Sequence, residues 1–359
     1  MVLITGPRQV GKTHLAKEIM KKYQHPAYFN FDDIDDMKTI KDRSWFQGTD
    51  LIVLDEIHKM KDWKTFLKGT YDTRKEQHHF LVTGSARLDT FRQTGESLAG
   101  RYFSYRLNPL SVKELEETLP PYEALSLLNK LGGFPEPFLS GSETLAQRWR
   151  KQYHDDLVRE DILDFSRITE INSIKNLQTM LRRRVGNPIS YSSLAQDLQI
   201  APNTVRKYLD ILESLHIIFL VRPFHKNIAR AILKEPKIYF FDTGFVEGNE
   251  GVKLENSVAV CLLKHAQFIQ DTEGLEAGLF YIRTKEQREI DFALGDGKGL
   301  KTLIEVKLSD HQESPHLRYF KERNPTLEAV QLVHNLHNEQ TKNGISVVRA
   351  GEWLKTLKA

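Results

Sequence analysis

The residues at the head of the chain best suited to chemistry are Lys12 and Thr13, which close the run Gly6-Pro7-Arg8-Gln9-Val10-Gly11-Lys12-Thr13. Its spacing is GxxxxGKT. Successive backbone N–H groups of such a loop, leading into a helix N-terminus, form a concave anion site, and glycine at the turns lets the backbone approach phosphates closely. Gly6 through His14 therefore read as a phosphate cradle for ATP. The Lys12 ammonium is expected on the β- and γ-phosphates and the Thr13 hydroxyl on Mg²⁺. Asp55 and Glu56 follow the apolar run Leu51 to Leu54. Four apolar residues and then two acids describe a buried parallel strand that delivers carboxylates to the sheet edge where the loop also lies. Asp55 is expected to hold Mg²⁺ through water, and Glu56 to polarise the attacking water of a phosphoryl transfer. Past the apolar stretch Phe80 to Val82, the segment Thr83-Gly84-Ser85-Ala86-Arg87 brings a hydroxyl, Ser85 or Thr83, to the γ-phosphate.

Positioning these groups requires an α/β fold. Val2 to Ile4 forms the strand before the loop, and Leu15, Ala16, Ile19 and Met20 mark the helix after it. Ala27 to Phe31, Leu51 to Leu54, Phe80 to Val82 and Tyr102 to Leu107 supply further strands. With 359 residues the chain exceeds the ~250 to 300 residues at which single cores stop growing, so two or three domains are expected. A composition of 40% hydrophobic and 28% charged residues excludes a disordered chain. The net charge of +3 does not by itself imply nucleic acid, so any basic surface must be local. Cys261 is the single cysteine, which excludes an intramolecular disulfide and a multi-cysteine zinc site. No apolar run approaches the ~18 to 20 residues of a membrane span and no signal peptide opens the chain, so a cytoplasmic protein without membrane contact is expected.

From Val112 to Thr179 apolar residues recur at helical spacing, broken at Pro120-Pro121 and Gly132-Gly133. These helices read as a lid and connector, and the acids Asp155, Asp156, Glu160, Asp161 and Asp164 read as a solvated helix face. A helix over Ser193 to Leu198, a turn through Pro202 and a second helix over Asn203 to Leu215 follow, with Val205, Leu209, Leu212 and Leu215 in one stripe. A strand pair, Ile217 to Val221 and the residues near Phe224, completes a winged helix-turn-helix pattern, whose second helix suits a DNA major groove. Arg206, Lys207, Arg222, Lys226 and Arg230, with Arg182 to Arg184 upstream, supply positive charge for phosphates. Beyond Ile238, Asp291 near one strand end and Glu305-x-Lys307 on the next, with Glu305 and Lys307 on one face, are arranged as in a metal-dependent nuclease core. Asp291 and Glu305 are the expected ligands of a second Mg²⁺, with Lys307 positioning water and Glu255 assisting.

Together GPRQVGKT, LIVLDE, TGSAR, SLAGR and LNPLSVKEL, continuing through GGFPEP at Gly132 to Pro137, resemble the AAA+ branch of P-loop ATPases. The resemblance is to the bacterial and archaeal family that joins an AAA+ module to a C-terminal domain of unknown function. The C-terminal strands are similar to the PD-(D/E)xK nuclease fold. The resemblance implies an ATPase core over 1–112, a helical lid over 113–184, a winged helix over 185–226 and a nuclease-like domain over 227–359. It also implies assembly in which an arginine, Arg101 or Arg87, completes a neighbour's site. Relatives carry a segment ahead of the loop that helps surround the adenine, and here Gly6 stands five residues after Met1, which leaves the base contacts open. The leading expectation is an ATPase that couples turnover to DNA binding or processing. The alternative is a nucleotide-switched scaffold for protein partners.

Overall fold

A computed structural model gives the fold and describes residues 1–84, 98–157, 168–225, 234–296, 298–309 and 312–359, with no side chains described for 168–170. The chain forms two compact units, one comprising residues 1–108 with 214–216, the other 109–213 with 217–359.

The first unit is built on five parallel strands: β1 (Val2–Thr5), β2 (Pro26–Asn30), β3 (Leu51–Asp55), β4 (His79–Thr83) and β5 (Phe103–Arg106), in the order β2-β3-β4-β1-β5. Helices α1 (Lys12–Met20), α2 (Ile34–Asp42) and α3 (Trp63–Arg74) cover it. Leu3, Ile52, Leu54, Phe80 and Val82 pack on one face with Trp45, Trp63 and Leu67. Ile4, Leu51, Val53 and Leu81 pack on the other with Ala16, Leu15 and Ile19. Burial on both faces explains the unbroken apolar runs of β1, β3 and β4, whose Leu3 to Thr5, Leu51 to Asp55 and Phe80 to Thr83 are all buried. Because all strands run the same way, the ends of β1, β3 and β4 deliver the loop, Asp55 and Thr83 to one edge.

The second unit begins with α4 (Pro121–Leu131), α5 (Pro135–Leu139), α6 (Glu143–Asp156) and α7 (Ile168–Leu181). Next come α8 (Tyr191–Leu198), capped by Ser190, and α9 (Pro202–Ser214), whose stripe Val205, Leu209 and Leu212 is buried as its spacing requires. An eight-stranded mixed sheet follows in the order β12-β13-β11-β10-β9-β8-β6-β7. Its strands are β6 (Ile218–Pro223), β7 (Lys237–Phe240), β8 (Ala277–Arg283), β9 (Glu289–Asp296), β10 (Gly299–Lys307), β11 (Glu328–Val333), β12 (Gln340–Lys342) and β13 (Ile345–Arg349). Helix α10 (Glu250–Glu273) starts where Asn249 accepts the Val252 N–H at 3.1 Å and caps it. Helices α11 (Pro315–Arg323) and α12 (Ala350–Leu354) complete the unit.

The strand pair after the helix-turn-helix differs from expectation. Strand β6 pairs with β7, through Ile218↔Phe240 to Val221↔Lys237, and not with residues near Phe224. The Phe224 N–H instead donates to Tyr281 O at 2.8 Å, continuing the parallel pairing of β6 with β8. The apparent wing is thus part of the large sheet.

A buried ion pair holds the helical part of this unit. Arg150, 6% exposed, donates from Nε to Asp242 Oδ2 at 2.7 Å and from Nη2 to Leu131 O at 2.5 Å. Gly132 has φ +77° and a Cβ there would fall 2.1 Å from Asp242 Oδ1, so the glycine makes room for the pair. Removing one member of a buried pair leaves an uncompensated charge. Arg150→Met is expected to destabilise this unit by about 3–5 kcal/mol in urea unfolding, with much of the loss recovered in Arg150→Met/Asp242→Asn. Equal instability of the single and double variants would mean that lost packing, not stranded charge, is the cause.

Candidate functional site

At the edge where β1, β3 and β4 end, Asp55 is the centre of a hydroxyl cluster. Its Oδ2 accepts from Thr13 Oγ1 and from the Tyr28 hydroxyl, both at 2.7 Å. Its Oδ1 accepts from Thr83 Oγ1 and from the Glu56 N–H, the latter at 3.1 Å. Burial pushes the Asp55 carboxyl up, but the donors Thr83, Tyr28, Thr13 and the Glu56 amide outweigh it and hold the group below its ordinary range. Burial first, and then Asp55, raise the Tyr28 hydroxyl. An ionised carboxylate beside a threonine hydroxyl is an oxygen-only donor set, which fits Mg²⁺.

The loop leading to Thr13 is built for an anion. Gly6, Gln9 and Gly11 have φ of +143°, +57° and +103°. A Cβ at Gly6 would sit 2.1 Å from Leu107 O, so only glycine fits between the loop and the segment after β5. Gly11 caps α1 without a side-chain hydrogen bond, leaving phosphate as a natural partner for the first-turn amides. Lys12, 7% exposed, donates to Gly6 O at 3.1 Å and Pro7 O at 2.5 Å. Pro7 and Val10 are buried, Arg8 is half-buried, and Gln9 and His14 are exposed.

Glu56 follows Asp55 in the left-handed region at φ +57° and opens a short 3-10 turn over Ile57–Lys59. Burial, then the neighbouring Asp55, raises its carboxyl, while Lys12 opposes the rise. Its Oε2 lies 3.4 Å from Nδ1 of buried His58. A carboxylate of raised basicity beside an ionised one is the pairing expected of a base and a metal ligand. Arg101 lies on a different contact, bidentate to Asp72 of α3 at 2.8 and 3.0 Å. Ser85 and Arg87 fall outside the described residues, as do Lys226, Arg230, Glu160, Asp161 and Asp164; of the two hydroxyl candidates, Thr83 is the one seen at Asp55. Tyr28 and His58 were not singled out from the sequence. The alternation of β2, which sets Tyr28 beside β3 in register with Val53, was the available signal for the tyrosine.

The second unit gathers the other candidates. Lys307 Nζ meets Glu305 Oε1 at 2.9 Å, and the Val306 N–H donates to Asp291 Oδ2 at 2.9 Å. Into the same cluster comes Lys237 of β7, 1% exposed, with Nζ 2.7 Å from Glu289 Oε1, 3.6 Å from Glu255 Oε1 and 3.7 Å from Asp291 Oδ1. The Tyr239 hydroxyl donates to Glu255 Oε1 at 2.7 Å. Lys237 and Tyr239 share a strand face two residues apart, a period-2 signal in KIYF that the sequence reading passed over. Among the described residues no group of three or more His, Cys, Asp or Glu side chains is arranged to hold a metal ion.

On the helix-turn-helix, Arg206 and Lys207 are exposed on α9, with Arg206 over the Tyr191 ring at 5.2 Å. Upstream, Arg182 and Arg183 pair with Glu247 at 2.8 and 2.7 Å, and Arg184 with Asp197 at 2.8 Å. No helix among the described residues is long and apolar enough to cross a membrane.

Residues 1–116 match the family model described as an AAA domain. Residues 123–253 and 250–353 match models described as domains of unknown function, DUF8612 and DUF4143. An uncharacterized protein of Mycobacterium tuberculosis is 28% identical over 298 residues, spanning 81% of this chain and 66% of that protein. An uncharacterized protein of Methanocaldococcus jannaschii is 26% identical over 333 residues, spanning 83% and 73%. Among solved structures, the Aeropyrum pernix ORC1 protein in complex with DNA is 14% identical at TM-score 0.35, covering 71% of this chain and 85% of that one. A variant of Thermotoga maritima RuvB is 19% identical at TM-score 0.30, covering 61% and 80%.

The carboxylate cluster carries a pH signature. Burial and then Asp291 push Glu255 and Glu305 up to about 7, against Lys237 and Lys307. Between their ordinary value and about 7 the folded state binds more protons than the unfolded one, so these groups stabilise at low pH and the gain fades as pH rises through about 7. Urea unfolding of wild type relative to Glu255→Gln, followed from pH 5 to pH 8, is expected to show wild type losing on the order of 2 kcal/mol more than the variant. Parallel pH profiles would remove Glu255 from the account.

Proposed function

Given an AAA+ P-loop domain over residues 1–116, we propose that the chain binds and hydrolyses ATP with Mg²⁺, and that turnover is coupled to DNA engaged by its C-terminal unit. The ATPase reading rests on one observation above all: Asp55 hydrogen-bonds Thr13 of the phosphate loop and Thr83 of the adjacent strand at a single sheet edge. In the proposed roles Lys12 leaves the carbonyls of Gly6 and Pro7 for the phosphates, and the amides at the start of α1 hold the phosphate oxygens. Thr13 and Asp55 hold Mg²⁺, which, when bound, neutralises charge developing on the transferring phosphoryl group. Glu56 accepts a proton from the attacking water and Thr83, with Ser85, orients it. The raised basicity of Glu56 supports the base role. Arg101 would reach a neighbouring copy only by giving up Asp72.

The DNA part of the proposal rests on exposed Arg206 and Lys207 of α9. The scaffold alternative is favoured by the ion pairs that occupy Arg182, Arg183 and Arg184, since paired cations give a smaller counterion-release gain on phosphate.

Glu56→Gln is expected to keep nucleotide affinity within a few-fold while lowering ATP turnover by at least about a hundredfold, and Lys12→Ala to lose binding itself. Preserved turnover in Glu56→Gln would remove Glu56 from the chemistry. ATP hydrolysis with and without duplex DNA at two salt concentrations separates the partner readings. Stimulation that fades with salt and is lost in Arg206→Glu/Lys207→Glu supports DNA, and turnover indifferent to DNA supports the scaffold.

A further inference from the structure

Three carboxylates, Glu255 of α10 and Glu289 and Asp291 of β9, surround Lys237 of β7, and Glu305 stands next to them on β10, where the following Val306 N–H donates to Asp291 Oδ2. Such a convergence of acids either takes up protons or needs a cation among them, because buried like charges repel and are poorly solvated. In the fold that the C-terminal strands resemble, that cation is a divalent ion. Here the chain supplies its own. The Lys237 ammonium lies within 2.7–3.7 Å of Glu289, Glu255 and Asp291. It is 1% exposed, and the nearby Tyr281 ring lies 5.6 Å from Nζ. A divalent ion among Glu255, Glu289 and Asp291 would stand beside the buried Lys237 ammonium, so the two cations compete for the oxygens of these three acids. The lysine is fixed by more than its side chain. It begins β7, whose backbone pairs with Val221 of β6 and bridges to Pro188. Glu305 shows the matching incompleteness: its Oε1 meets Lys307 and Ser314, while its buried Oε2 has no partner.

We propose that Lys237 is a tethered cation that takes the place of the divalent ion in this carboxylate site, so that the unit folds and stands without metal and the site opens to a hard divalent cation only when the lysine is gone. The ligand class of the latent site is an oxygen-coordinated ion such as Mg²⁺ or Mn²⁺. Lys307 remains as the partner of Glu305 in both states. The inference does not depend on ATP hydrolysis by the first unit.

The test uses the nucleotide-free full chain and Mn²⁺, with bound ion counted by loss of the free-ion electron paramagnetic resonance signal. Wild type, Glu305→Gln, Lys237→Met and Lys237→Met/Glu305→Gln are compared, so that any ion held at Thr13 and Asp55 cancels. The expected result is no difference between wild type and Glu305→Gln, and one additional Mn²⁺ per chain in Lys237→Met, at least tenfold tighter than in the double variant. A site already present in wild type and lost in Glu305→Gln overturns the proposal. So does a folded Lys237→Met that gains no ion. If Lys237→Met does not fold alone, millimolar Mn²⁺ is expected to restore its cooperative unfolding transition, and failure to do so overturns the replacement.

Discussion

A carboxylate at the end of a buried strand must find donors, or it takes up a proton. That constraint shapes both units, and they answer it differently. At Asp55 the donors are three hydroxyls and an amide, all neutral. They hold the carboxyl ionised without cancelling its charge, so the sheet edge keeps a net negative group facing a glycine loop that favours phosphate. At the C-terminal cluster two of the partners are lysines, Lys237 and Lys307, which offset part of the charge as well as binding the oxygens. The chemistry open to each site follows from the kind of partner rather than from the number of acids.

The same reasoning accounts for Glu56. It sits one residue past Asp55 but in the left-handed region, which turns its backbone out of the strand and frees its side chain from the donors that Asp55 collects. Two adjacent carboxylates in one sequence motif thus fall into opposite environments. One is held ionised, and the other is pushed toward protonation by burial and by its neighbour. The 3-10 turn over Ile57–Lys59 fixes that divergence, since Met60 N–H donates back to Ile57 O at 3.0 Å and Ile57 is fully buried.

The parts legible in the sequence were those where one face or one loop is specified locally. GxxxxGKT, the LIVLDE strand and the α9 stripe each state their geometry within a few residues, and their placement followed from spacing. Pairing between distant strands was not legible. The partner of β6 lies beyond the residues after Phe224 and outside any short turn, so nothing nearby in sequence announces β7. Tyr28 was hidden for a related reason: a tyrosine in an aromatic strand reads as core, and only the neighbouring β3 reveals that its hydroxyl has a carboxylate to reach. The Arg182 to Arg184 run read as a basic patch, whereas Glu247, some sixty residues on, and Asp197 offset it.

Lys237 brings the second unit together. It belongs to β7, the outermost strand of the eight-stranded sheet, and β7 is also the strand that pairs with β6 directly after the helix-turn-helix. The acids it pairs with lie on β9 and α10, so this one side chain reaches from an end strand of the sheet to a strand in its interior. Withdrawing Lys237 would leave the acids of β9 and α10 uncompensated, and shifting those acids would strand a buried ammonium. The helix-turn-helix and the carboxylate cluster therefore cannot move independently through β6 and β7 without an electrostatic cost.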